Sequence, residues 1–206
     1  MDEARSVREF WFGRLPLSAD ALNRRLPFWF AGPPSELGRL RDEHIRERFG
    51  KLLELAANGA LASWEDGPRR RLSLILLLDQ FPRNMFRATA RAFAYDARAL
   101  ALALSGMQSG ADAALDPVER MFFYMPLQHA ESREVQDESL AAYRRLLAEA
   151  PQPLCGPFAA ASRSAENHRA IIERFGRFPH RNRVLGRKNT PAEEEWLRNG
   201  GERFGQ

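Results

Sequence analysis

From Ser35 to Ala57 the apolar side chains Leu37, Leu40, Ile45, Phe49, Leu52, Leu53 and Ala56 recur every three or four positions, which predicts an amphipathic helix closed by Asn58-Gly59. His44 falls on its apolar side and reads as a core histidine. Arg41, Asp42, Glu43, Arg46, Glu47 and Arg48 read as a solvated mixed-charge face. After Gly67-Pro68, Leu72 and Leu74 to Leu78 are apolar almost all round, the pattern of a buried central helix. That helix delivers Asp79 and Gln80 at its C-terminal end. The helix dipole disfavours a carboxylate there, so Asp79 needs a cation, and Arg83 is nearest. Asp96 reads as the N-cap of a helix through Leu104. Asp116-Pro117-Val118-Glu119 opens a second very apolar helix, Met121 to Met125, which meets Pro126 just before Gln128, His129 and Glu131. Ser132 caps a helix running to about Ala150. The stretch from Ala150 to Pro157 reads as a loop, Phe158 to Phe175 as a helix ended by Gly176, and Thr190-Pro191-Ala192-Glu193 as a last helix start.

Near the N-terminus, Val7 to Gly13 reads as a short helix end with Pro16 beyond it. Two aromatic clusters follow: Phe10-Trp11-Phe12, and Phe28-Trp29-Phe30 in a loop framed by Pro27, Pro33 and Pro34. Core anchoring accounts for both, with an aromatic ligand pocket as the alternative. Nothing alternates with period two for long enough to form a strand. The pattern predicts an all-α fold, a single domain over residues 1–206 of packed antiparallel helical hairpins.

Composition narrows the function classes. No apolar run, Leu74 to Leu78 included, approaches the roughly 20 residues needed to span a bilayer. The start, Met1-Asp2-Glu3, carries no signal-peptide pattern, and the single cysteine, Cys155, excludes an intrachain disulfide. A reducing, cytoplasmic compartment and no membrane partner are expected. Net charge is +4, and Lys51 and Lys188 are the only lysines, so the cations are almost all arginine, the side chain suited to bidentate contacts with carboxylate or phosphate. Basic residues concentrate in the last quarter. Glu166, Glu173 and Glu193 to Glu195 interleave with them and no nucleic-acid motif occurs, so a nucleic-acid partner is not expected.

Phosphate loops, dinucleotide glycine fingerprints, nucleophile elbows and zinc-protease pairs are all absent. The sequence instead places three polar groups beside very apolar helices: Asp79, Gln80, Arg83 and Asn84; Gln128, His129 and Glu131; and His168, Arg177, His180, Arg181, Asn182 and Arg187. Each taken alone can be a helix stop with its caps. Together they supply both charge signs to a buried site. A metal would require His129, His168 or His180 to converge with Glu131 or Asp79 from distant segments, so no metal or other cofactor is assigned. Cys155 reads as an inert loop thiol.

Leu78 to Asn84, Phe122 to Glu131 and Phe175 to Asn182 resemble the signatures of the DUF924 family. So do Arg8 to Gly13, Leu185-Gly186-Arg187 with Thr190-Pro191, and the closing Phe204-Gly205-Gln206. The resemblance covers nearly the whole chain. It implies an all-α, tetratricopeptide-like helical fold and no particular activity. Ala130 stands where the family commonly has Ser, and Lys188-Asn189 where it commonly has Glu-Ser.

The expectation from these residues is a pocket for a small anionic ligand. His129, His180, Glu131 and Asp79 are the candidates for catalysis, and Gln80, Arg83, Asn84, Arg177, Arg181, Asn182 and Arg187 for ligand binding. The alternative is a tetratricopeptide-like scaffold with a protein partner.

Overall fold

Local capping chemistry sets most helix starts. The computed structural model describes residues 2–31, 35–202 and 204, and among them all regular structure is helical. The α-helices are α1 (Glu3–Phe12), α2 (Ala19–Phe30), α3 (Glu36–Ala57), α4 (Pro68–Ile75), α5 (Phe81–Met85), α6 (Asp96–Gln108), α7 (Pro117–Phe123), α8 (Met125–Gln128), α9 (Arg133–Ala148), α10 (Cys155–Phe175) and α11 (Pro191–Arg198). Ser35 and Ser132 cap α3 and α9, and full capping boxes, Asp116 with Glu119 and Thr190 with Glu193, open α7 and α11. Gly176 ends α10 in the left-handed region (φ 69°) that glycine adopts without steric cost. No helix among the described residues is long and apolar enough to cross a membrane.

The central segment is as buried as its composition demands. Leu72 and Leu74 to Leu78 are fully enclosed, together with Phe81, Phe122, Phe123 and Tyr124. Trp11 meets both Phe81 and Phe122 at 5.6 Å between ring centres, and Trp29 meets Phe122 at 4.7 Å, so the aromatic clusters do anchor the core. Met125, by contrast, is only half-buried. A smaller cluster, Ile171, Ile172 and Phe178 with Phe175, Trp196 and Phe204, seats the C-terminal segment. The long helices α9 and α10 pack along each other more extensively than any other pair.

Several expectations are corrected. Phe28-Trp29-Phe30 is not a loop but the last turn of α2, which continues through Pro27. Arg41 stabilises that turn by donating to the carbonyls of Phe28, Trp29 and Ala31. Pro33, Pro34 and the closing Gly205-Gln206 lie outside the described residues. Arg41 and Asp42 are buried rather than solvated, whereas His44 is exposed and only touches the Phe10 ring edge-on. Phe81-Pro82 does not stop the central helix. A π-helical turn, Leu76–Gln80, links α4 to α5, with the Phe81 N–H donating to the Leu76 carbonyl. Asp96 makes no N-cap bond and is the first residue of α6, because arginines claim its carboxylate. Cys155 begins α10 rather than sitting in a loop.

Candidate functional site

The π-helical turn is what brings Asp79 into position. It adds one residue to the helical circuit just before Pro82, whose ring nitrogen has no hydrogen to donate. Asp79 is completely enclosed, and a buried carboxylate is tolerated only with partners. Oδ1 accepts from His129 Nδ1 at 2.7 Å and lies 3.2 Å from the Arg83 guanidinium, and Oδ2 accepts from Gln80 Nε2 at 2.6 Å. Burial alone would raise the Asp79 pKa. The Arg83 charge, His129 and the Gln80 hydrogen bond outweigh it and hold the carboxyl well below its ordinary range.

An ionised carboxylate only accepts hydrogen bonds, so His129 carries its proton on Nδ1. Burial and the Arg83 charge push His129 down from the usual histidine value against the pull of Asp79, which keeps the ring neutral. Nε2 therefore presents a lone pair, and among the described residues it has no hydrogen-bond partner. Arg83 is itself fixed by two parallel 2.8 Å bonds to Asp96.

The third segment closes over this pair. Arg181 donates to the His129 carbonyl at 3.1 Å, lies 3.5 Å from Asp96, and is sandwiched between the rings of Phe93 and Phe178 at 4.6 and 4.4 Å. Burial, then Arg83, lowers its pKa to about 10. Glu131 accepts from Arg187 at 2.6 and 3.0 Å and from the Phe178 N–H at 2.8 Å, tying the Phe178 turn to the end of α8. His180 packs against Phe178 and Phe204, and burial followed by the Arg181 charge lowers its pKa to about 3.

Asp79, Arg83, His129, Glu131, Arg181 and Arg187 thus form one chain of contacts, with His180 beside it. Arg177 and Asn182 belong elsewhere. Arg177 makes two bonds to Glu193, at 2.6 and 2.8 Å, and one to the Lys188 carbonyl. Asn182 is buried and donates to Asn189 at 2.8 Å. Both fasten α11 and its approach. Asn84 donates to the Gln80 carbonyl at 2.7 Å and accepts from Arg87, which also grips Asp42.

A cleft of about 300 Å³ opens onto this network. Gln80, Arg83, Asn84, Arg87, Gln128, His129, Ser164 and His168 supply its polar lining, and Trp29, Phe30, Met125 and Phe204 supply apolar surface. His168 completes the site; the sequence placed it in the third polar group but gave it no catalytic or ligand-binding role. Its Nδ1 lies 2.8 Å from the Ser164 carbonyl, which can only accept, so its Nε2 also carries a lone pair. Its ring is 6.1 Å from that of His129 and stacks on Phe204 at 3.8 Å. Burial, then His129, lowers its pKa to about 3. The sequence signal for His168 is its place on the inward stripe of α10 one turn after Ser164. Asp96 gives no comparable signal, because its partners lie 13 and 85 positions away.

A wider depression of about 890 Å³ lies beside α1 and carries Arg5, Arg8, Arg14 and Arg69. It holds no histidine, and its acids are engaged, with Glu9 paired to Arg5 and Glu119 to Arg8 and the α7 capping box. Among the described residues no three His, Cys, Asp or Glu side chains group as metal ligands.

Comparison with known proteins agrees with this architecture and adds no chemistry. A family model described as a bacterial protein of unknown function, DUF924, matches residues 7–201. A solved structure of a protein of unknown function from Agrobacterium tumefaciens is 34% identical, superposes with a TM-score of 0.79, and aligns over 96% of this chain and 98% of its own. No curated protein matches the sequence.

Proposed function

Since this chain belongs to the DUF924 family, whose members lend it no activity, we propose from its own residues that the cleft binds a small anionic molecule and acts on it by proton transfer. The observation that carries this reading is the neutral His129, held through Nδ1 by the ionised Asp79 with its Nε2 lone pair open to a 300 Å³ cleft. In this reading His129 is the general base. It accepts a proton from the bound molecule, and Asp79 offsets the charge of the imidazolium that forms. A positioned base of this type contributes about 10²–10⁴-fold in rate.

Charge supports an anion. Arg83 and Arg87 both line the cleft, and no carboxylate is among its described lining residues. Gln80, Arg83 and Asn84 are assigned to the ligand directly. His180, Glu131, Arg181 and Arg187 are assigned to holding the wall, and Arg177 and Asn182 to fastening α11. With its single thiol the protein suits a reducing, cytoplasmic setting.

A thermal-shift panel of phosphates, nucleotides and organic acids tests this reading. Stabilisation by an acid that disappears in His129→Gln is expected. No stabilisation by any member, together with capture of a specific protein partner, would favour the tetratricopeptide-like scaffold instead.

A further inference from the structure

Two imidazoles face this cleft, and the proposed function uses only one. His168 is about 4% exposed, its Nδ1 is committed to the Ser164 carbonyl, and among the described residues its Nε2 has no hydrogen-bond partner. A bare anion cannot satisfy that atom. A carboxylate oxygen set against an imidazole lone pair is repelled, because both are acceptors. The ligand must therefore bring a donor hydrogen as well as its negative charge.

An ammonium group is a poor candidate for that donor, because it would share the cleft with the Arg83 and Arg87 guanidiniums that line it. A hydroxyl donates without adding charge. The apolar surface of Trp29, Phe30, Met125 and Phe204 calls for a third feature, an aryl or branched alkyl group. The cleft volume of about 300 Å³ is at the lower end of ordinary small-molecule sites, which fits a single ring or a short branched chain.

We infer that the cleft selects a hydroxy acid carrying an apolar group, with the ligand hydroxyl donating to His168 Nε2 and the acid directed toward the Arg83 and Arg87 side. This rests on the reading of the cleft as an anion site and gives that site its ligand class. His168 becomes the residue that recognises the hydroxyl, while His129 keeps its role as base.

Mandelate and phenylacetate are suitable probes, since they share an aryl group and a carboxylate and differ by one hydroxyl. Binding of both mandelate enantiomers and of phenylacetate should be measured by thermal shift and calorimetry. One mandelate enantiomer is expected to bind more tightly than phenylacetate by a factor on the order of ten or more. His168→Asn keeps a polar atom near the Nδ1 position but removes the acceptor at Nε2, and it should erase the preference. His168→Gln restores an acceptor near Nε2 and should retain part of it, which separates loss of recognition from loss of folding. Equal binding of mandelate and phenylacetate would overturn the hydroxyl inference and leave the anion reading standing. A preference that survives in His168→Asn would overturn the assignment to His168. Absence of binding by all three acids would count against both this inference and the anion reading beneath it.

Discussion

His129 Nδ1 lies 2.7 Å from Asp79 Oδ1, although the two residues are 50 positions apart in the chain. The bond fixes which ring nitrogen holds the proton, and this can be read out directly. In the wild type, imidazole ¹⁵N shifts should report the Nδ1–H form at neutral pH. In Asp79→Asn the amide can donate to the ring, so the Nε2–H form should take over.

Breaking the buried pair should be costly for the fold as well. Asp79→Ala leaves His129 and Gln80 without their acceptor and removes one partner from the enclosed Arg83. A loss of about 3–5 kcal/mol in urea unfolding is expected.

Stability should fall with acid. Burial lowers His168 and His180 from the ordinary 6.5 to about 3 in the folded state. Below 6.5 the unfolded chain takes up protons that the folded chain refuses, so these residues make stability rise with pH between about 3 and 6.5. Glu193 acts in the same sense. The Arg177 hydrogen bond lowers it from 4.5 to about 2, and that contribution is present above 4.5 and lost as pH drops toward 2. Urea midpoints should decline steadily from about pH 7 to about pH 4. His180→Phe should flatten the upper part of that slope.

Arg177 and Arg83 should behave differently. Arg177→Ala should speed hydrogen exchange across residues 190–198, because Glu193 loses its two bonds, while ligand binding in the cleft persists. Arg83→Ala should abolish that binding, since it removes a cleft wall and leaves Asp79 and Asp96 without their shared cation.

Gly106→Ala should destabilise the protein. A Cβ at that position would lie 2.5 Å from Phe123 Cζ and 2.8 Å from Arg71 Cδ. Phe123 is enclosed and cannot swing away, so overpacking of about 1–3 kcal/mol should exceed the helix-propensity gain of about 1 kcal/mol. Calorimetric melting would show the lowered midpoint.

The features legible in the sequence were local ones. Capping at Asp116, Ser132 and Thr190 depends on side chains within three residues, and the unbroken apolar run from Leu74 to Leu78 could only be central. Proline misled at Pro27 and Pro82, because a missing N–H ends a helix only when its surroundings do not compensate. Here Arg41 stabilises the α2 end and a π turn precedes Pro82. Charge was hardest to read. Asp42 and Asp96 looked like surface and cap residues because their arginines, Arg87 and Arg83, are 45 and 13 positions away. The convergence of Asp79 with His129 was anticipated from two apolar helices sharing a core. The part played by His168 needed the cleft itself.

The extra residue in the Leu76–Gln80 turn makes the dyad depend on the rotational phase of the helix. One residue of an α-helix subtends about 100° of rotation. Removing a single leucine from the turn would return the segment to ordinary helical phase. The same deletion would swing Asp79 out of line with His129. A one-codon change would thus break the buried Asp79–His129 pair and cost the fold that pair's contribution, and its reversal would reinstate both in a single step.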